Sequence, residues 1–76
     1  MKKTGKKILN YYNHSHSLEN IIKFLESIQK KVNFLDLNVL VERNVIRVTL
    51  YGPRDLQSLA IEKLNELANM LLKNPP

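Results

Sequence analysis

The side chains with the widest chemical range in this 76-residue chain are two histidines, His14 and His16, set two apart among Asn13, Ser15 and Ser17. Alternate loop residues can chelate a metal, but catalytic zinc takes three protein ligands, and only Glu19 stands nearby as a third. General acid–base work needs a positioned histidine or convergent carboxylates, and Asp36 with Glu42 is too loose a pattern for that. No cysteine is present to act as a nucleophile, and the two glycines, Gly5 and Gly52, cannot build a phosphate-cradling loop of the Walker or Rossmann kind. Gly52, opening a helix, is either a single-phosphate contact or a plain cap. The expectation is a protein without catalysis of its own, with no metal and no cofactor.

Binding chemistry is better represented. Residues 1–31 carry seven lysines (Lys2, Lys3, Lys6, Lys7, Lys23, Lys30, Lys31) against Glu19 and Glu26, whereas acids and bases balance in the remainder. Such a basic stretch suits a polyanion, above all RNA or DNA, through counterion release; it equally serves as a solvated surface that keeps a small protein in solution. Arg43, Arg47 and Arg54 are the residues best shaped for bidentate phosphate contact, and each has acids in the same domain with which to pair instead. Tyr11, Tyr12, Phe34 and Tyr51 can stack bases if they share an open sheet face with Arg47; otherwise they belong to a core or an interface. The candidate nucleic-acid residues are therefore Lys2, Lys3, Lys6, Lys7, Arg43, Arg47 and Arg54.

The elements that position these residues follow from periodicity. Residues 1–7 read as a flexible basic arm, 8–73 as one domain and 74–76 as a tail. Ile8 to Tyr12 is a short strand with no purely apolar face, which suits a sheet edge. A polar loop leads to an N-cap at Ser15 or Ser17. In the first helix Leu18, Ile21, Ile22, Leu25 and Ile28 form the apolar face, with Phe24 at its margin. Residues 33–41 alternate with period two, Glu42-Arg43-Asn44 turns the chain, and Ile46, Val48 and Leu50 repeat the alternation on the return. The sum is an α+β two-layer sandwich: a three-stranded antiparallel sheet with two helices on one face, in the order β-α-β-β-α.

The last helix, opened by Gly52 and Pro53, holds the widest apolar arc. Leu56, Leu59, Ala60, Ile61, Leu64, Leu67, Ala68, Met70, Leu71 and Leu72 cover roughly 220°, interrupted only by Gln57 and Lys63. One stripe packs on the helix's own sheet; the other meets either a second chain or the first helix. A chain of this length without disulfide or metal also gains from association. The expected interface is Leu56, Ile61, Leu64, Ala68 and Leu72, with Tyr51 from the half-apolar sheet face. No membrane span or signal peptide is recognisable, so a cytoplasmic setting is expected.

The run Gly52-Pro53-Arg54-Asp55-Leu56-Gln57-Ser58-Leu59, leaving a hairpin strand and entering a helix with Asn65 and Leu67, resembles the small dimerising subunit of the KEOPS complex. That family shows an acidic residue, Leu, any residue, Ser and Leu at this junction, and the element order of nearly the whole chain is similar to it. Asn65 stands one position after the family's helix asparagine, and Ala60 replaces its usual arginine, a pattern that suits a divergent paralogue. The resemblance implies a non-catalytic role in tRNA modification: a homodimer, or a heterodimer with a paralogue, that docks the threonylcarbamoyl-transferase subunit and helps hold tRNA. His16-Ser17-Leu18-Glu19-Asn20 is also faintly similar to the helix entry of the small RNA polymerase assembly subunit. An autonomous basic nucleic-acid-binding protein is the alternative of a different class.

Overall fold

Period-two alternation builds the sheet, and the computed structural model, which describes residues 5–73, shows where each strand starts. The elements are β1 (Gly5–Tyr12), α1 (Leu18–Lys31), β2 (Asp36–Glu42), β3 (Val45–Gly52) and α2 (Arg54–Leu71). The sheet order is β1-β3-β2 with both pairings antiparallel, so the β2–β3 hairpin supplies the centre and one edge, and β1 closes the other edge. This is the expected α+β sandwich, with β1 at the edge assigned from its mixed pattern.

One row of the sheet faces the helices. Leu9, Val48 and Val39 lie opposite one another, as do Tyr11, Ile46 and Val41, and Lys7, Leu50 and Leu37. Ile46, Val48 and Leu50 are fully buried against Ile21, Phe24 and Ile28 of α1 and Ala60, Leu64 and Leu67 of α2, which places both helices on that face.

Three boundaries differ from the sequence expectation. β1 begins at Gly5, so Lys6 and Lys7 belong to a paired strand, opposite Tyr51 and Leu50, and not to a flexible arm. The reason is the partner: β3 extends to Gly52, and its backbone groups are satisfied by a polar segment as well as by an apolar one. β2 starts at Asp36, three residues later than the alternation suggested. Phe34 therefore escapes the alternation and packs half-buried on the core. At α2, Pro53 is the N-cap, in extended conformation with ψ 153°, and the helix starts at Arg54.

The helical faces are also rotated relative to expectation. In α1 the buried stripe is Ile21, Phe24 and Ile28, continued by Val32, while Leu18 and Ile22 are exposed. Phe24 is central because Tyr11 of β1 meets its ring edge-on at 5.8 Å between centroids. Ser17, not Ser15, caps the helix, its Oγ accepting from the Asn20 amide at 3.4 Å. In α2 the stripe is Gln57, Ala60, Leu64 and Leu67, and Leu72 just beyond the helix closes the core.

Candidate interaction surface

The outward row of each strand forms the sheet's open face, and the register fixes its layout. Four cross-strand rows run from β1 through β3 to β2: Lys6–Tyr51–Asp36, Ile8–Thr49–Asn38, Asn10–Arg47–Leu40 and Tyr12–Val45–Glu42. Ile8 (49% exposed), Tyr12 (46%), Leu40 (55%), Val45 (38%) and Tyr51 (36%) leave an apolar surface on which no described element lies. Its charges cancel, Lys6 and Arg47 against Asp36 and Glu42, with the bases on β1 and β3 and the acids on β2. Arg47 is held across the strands by its Nε donating to Asn10 Oδ1 at 3.3 Å.

This layout decides between the two roles open to the aromatics. Tyr12 and Tyr51 share the face with Arg47 as base stacking requires, but Tyr51 and the Val45 beside Tyr12 are six residues apart on β3, about 20 Å at strand rise. Tyr11 and Phe34 lie on the helix side. The tyrosines thus stand at opposite ends of a neutral apolar strip, a poor match to contiguous stacked bases and a good one to protein.

Tyr11 is instead a structural tie. Its Oη donates to Asn65 Oδ1 at 2.9 Å, joining β1 to α2, and burial raises its pKa above 10.0 because the phenolate loses water. Asn65, quoted above for its family pattern, thus has a partner within the fold.

A second exposed region lies where β1 and α2 begin. Lys6, Lys7 and Arg54 line an open cleft of about 590 Å³ with Gln57 and Ser58, and no carboxylate among the described residues lines it. Gln57, read from sequence as an interruption of the apolar arc, is buried, and its Nε2 donates to the Gly52 carbonyl at 3.1 Å, fixing α2 to the end of the sheet. A Cβ at Gly5 would lie 3.1 Å from that nitrogen, so glycine leaves room for the clasp.

The remaining expected residues disperse. Arg43 sits at the hairpin tip with φ 59°, in the left-handed region, at the opposite end of the sheet from Arg54. Lys2 and Lys3 lie outside the described residues. In α2, Leu64 (0%) and Leu72 (2%) are buried inside the chain, which corrects their assignment to an intermolecular interface. Leu56, Ile61 and Ala68 are half-buried, and only Leu59 and Met70 are large apolar residues exposed on that helix. The excess width of the apolar arc is spent on α1, the neighbour within the same chain.

The histidine loop is organised around a residue the sequence reading left as filler. Asn13 is fully buried; its Oδ1 accepts from the Ser15 amide at 3.2 Å, and its Nδ2 donates to the Ser17 carbonyl at 3.1 Å. Its amide donates to the Asn44 carbonyl at 2.7 Å, and the next amide, of His14, to the Leu72 carbonyl at 2.8 Å. The only signal in sequence was Asn flanked by Ser at two and four residues, the composition of an Asx turn. His14 and His16 meet the Tyr12 ring edge-on, at 5.0 and 6.1 Å between centroids, and Asn44 Nδ2 lies 3.2 Å from His16 Nδ1. Among the described residues no group of three His, Cys, Asp or Glu converges as metal ligands would.

No helix among the described residues is long and apolar enough to cross a membrane. Compared with known proteins, the chain matches no family model, no curated protein and no solved structure at the significance required.

Proposed function

We propose that the chain is a non-catalytic interaction subunit that dimerises through the open face of its sheet. The observation that carries this is the exposed strip of Ile8, Tyr12, Leu40, Val45 and Tyr51 on a face whose charges cancel. Exposed apolar surface of this kind is costly in water and marks a contact site. The charge layout favours a second copy. A two-fold axis along the strands lays β1 of one copy over β2 of the other. Row by row, Lys6 then faces Asp36 of the second copy and Tyr12 faces its Glu42.

Arg47 falls near its own counterpart on that axis. The angle of about 30° between packed sheets offsets the two guanidinium groups, and Asn10 already holds each. A three-stranded footprint is at the small end of stable interfaces, so self-association in the micromolar range is expected.

The resemblance to the KEOPS small subunit supplies the finer reading. In a sheet-to-sheet dimer the helices face outward, and exposed Leu18 and Ile22 on α1 with Leu59 and Met70 on α2 offer apolar footholds there. On this reading the helical layer docks the threonylcarbamoyl-transferase subunit, and the dimer helps to hold tRNA while an adenosine is modified.

Sedimentation velocity from 1 to several hundred micromolar tests the first step. A monomer throughout that range rules the dimer out. Affinity capture from nuclease-treated native lysate tests the second: a threonylcarbamoyl-transferase is the expected partner, whereas RNA polymerase subunits move the chain to the other assembly.

A further inference from the structure

We infer that the cleft between the start of β1 and the first turns of α2 is a binding site for the phosphodiester backbone of single-stranded nucleic acid. The inference does not rest on the dimer: Lys7 of the core-facing row and Arg54, Gln57 and Ser58 of α2 line the cleft, and Lys6 alone is shared with the open face.

The register singles out Lys7. It occupies the core-facing row with Leu50 and Leu37, where every other side chain longer than glycine is apolar or the tied Tyr11, yet Lys7 is exposed. A lysine in such a row keeps its charge only by reaching out of the packed layer, and the space beyond is the cleft. Arg54 enters from α2, Lys6 lies at the same strand end, and Ser58 adds a hydroxyl one turn on from Arg54.

What is missing from the lining is as informative as what is there. The nearest acid in sequence, Asp55, turns its Oδ1 to the Leu56 amide at 2.9 Å and does not line the cleft. Three cations with no carboxylate among the described lining residues differ from the balanced charges of the open face, with which the cleft shares Lys6. About 590 Å³ is within the range of nucleotide-sized sites. Arg54 brings the planar fork that suits a phosphate's paired oxygens, and Lys7 a mobile point charge. Among the described residues no aromatic side chain lines the cleft, so its lining offers no ring on which to stack a base. Recognition is therefore of the backbone and indifferent to sequence.

The test is fluorescence anisotropy of a labelled 12-nucleotide oligouridylate titrated with the full chain between 50 and 200 mM KCl. Three contacts on a single strand give a slope of log affinity against log salt of about −2. Lys7→Gln with Arg54→Gln is expected to weaken binding about tenfold and to bring the slope to about −0.7. The charge-matched control Lys23→Gln with Arg43→Gln, on α1 and at the hairpin tip, is expected to change affinity less than twofold. Equal losses in both variants, or binding by the cleft variant equal to wild type, overturn the inference. Oligocytidylate binding as tightly as oligouridylate supports it, and a preference above tenfold overturns it. Because neither pair of side chains is buried, circular dichroism and sedimentation of both variants should match wild type, which separates this result from failure of the dimer.

Discussion

The open sheet face and the β1–α2 cleft share strand β1 and differ in what they offer a partner. The face is broad, apolar and neutral, with two bases and two acids arranged across strands. The cleft is open and polar, with Lys6, Lys7 and Arg54 and no acid among the described lining residues. Strand β1 contributes to both, because successive side chains alternate sides, and Lys6 at the strand end is shared by the two. Net charge alone cannot distinguish the two. A chain of +5 looks like a polyanion binder throughout, whereas the apolar face of its sheet carries no net charge.

Substitution, salt and pH act differently on the two regions. The largest effect is expected from Leu72→Asp, which puts a carboxylate where 2% of the side chain is exposed. The cost is several kcal/mol, enough to unfold a domain this small. Thermal and urea denaturation should show loss of the native state, whereas a folded monomer would return α2 to the interface. On the open face, Leu40→Asp should leave melting almost unchanged and weaken self-association about a hundredfold, read by sedimentation, because it desolvates an unpaired charge. Raising KCl from 50 to 200 mM should weaken oligonucleotide binding about fifteenfold. Self-association should change much less over the same range, and parallel salt responses would mean that the two regions are not distinct.

A smaller effect concerns the tie between β1 and α2. Tyr11 has its folded pKa raised by burial. Its contribution is thus complete below the ordinary tyrosine pKa and is lost as pH rises through the folded value. Stability should fall above pH 10, and Tyr11→Phe should remove that added slope while costing about 1 kcal/mol at neutral pH for the lost hydrogen bond. Smallest is the charge exchange on the face. Lys6→Asp should weaken the dimer a few-fold, and adding Asp36→Lys should restore it, since exposed pairs contribute at most about 1 kcal/mol. Failure of the double variant to recover would discard the proposed axis while leaving the face itself in play.

Legibility in the sequence followed the strength of the local signal. The β2–β3 hairpin alternates without interruption, so its two faces could be assigned correctly for Leu37, Val39, Val41, Ile46, Val48 and Leu50. The helices were found but turned: Leu18 and Ile22 fit an apolar stripe as well as Phe24 does, and only the sheet beneath α1 decides that Phe24 goes in. The same limit misplaced Leu64 and Leu72, since an over-wide arc says that a second neighbour exists but not whose chain it belongs to. Lys6 and Lys7 looked like a solvated arm because composition reports on side chains, whereas strand pairing is made by backbone. The cleft was legible residue by residue, in Lys6, Lys7 and Arg54, but their meeting depends on a pairing between residues far apart in sequence. Asn13 and Gln57 were the hardest to read. Asn13 gains part of its value from the Asn44 carbonyl, which no local window contains, and Gln57 from the Gly52 carbonyl just ahead of its own helix.

The strand order has a consequence for how the molecule assembles in time. The hairpin is local and can form early, but β1 pairs residues as far apart in sequence as Gly5 and Gly52. Loop-closure entropy delays such pairings. The first segment in the sequence is therefore expected to be among the last to dock, completing the cleft and the open face in the same step. Until then the Ile46-Val48-Leu50 strand presents an unpaired edge. The lysines at the head of β1 guard a different edge: once docked, β1 is the outer strand of the sheet, and a charged edge resists pairing with another chain.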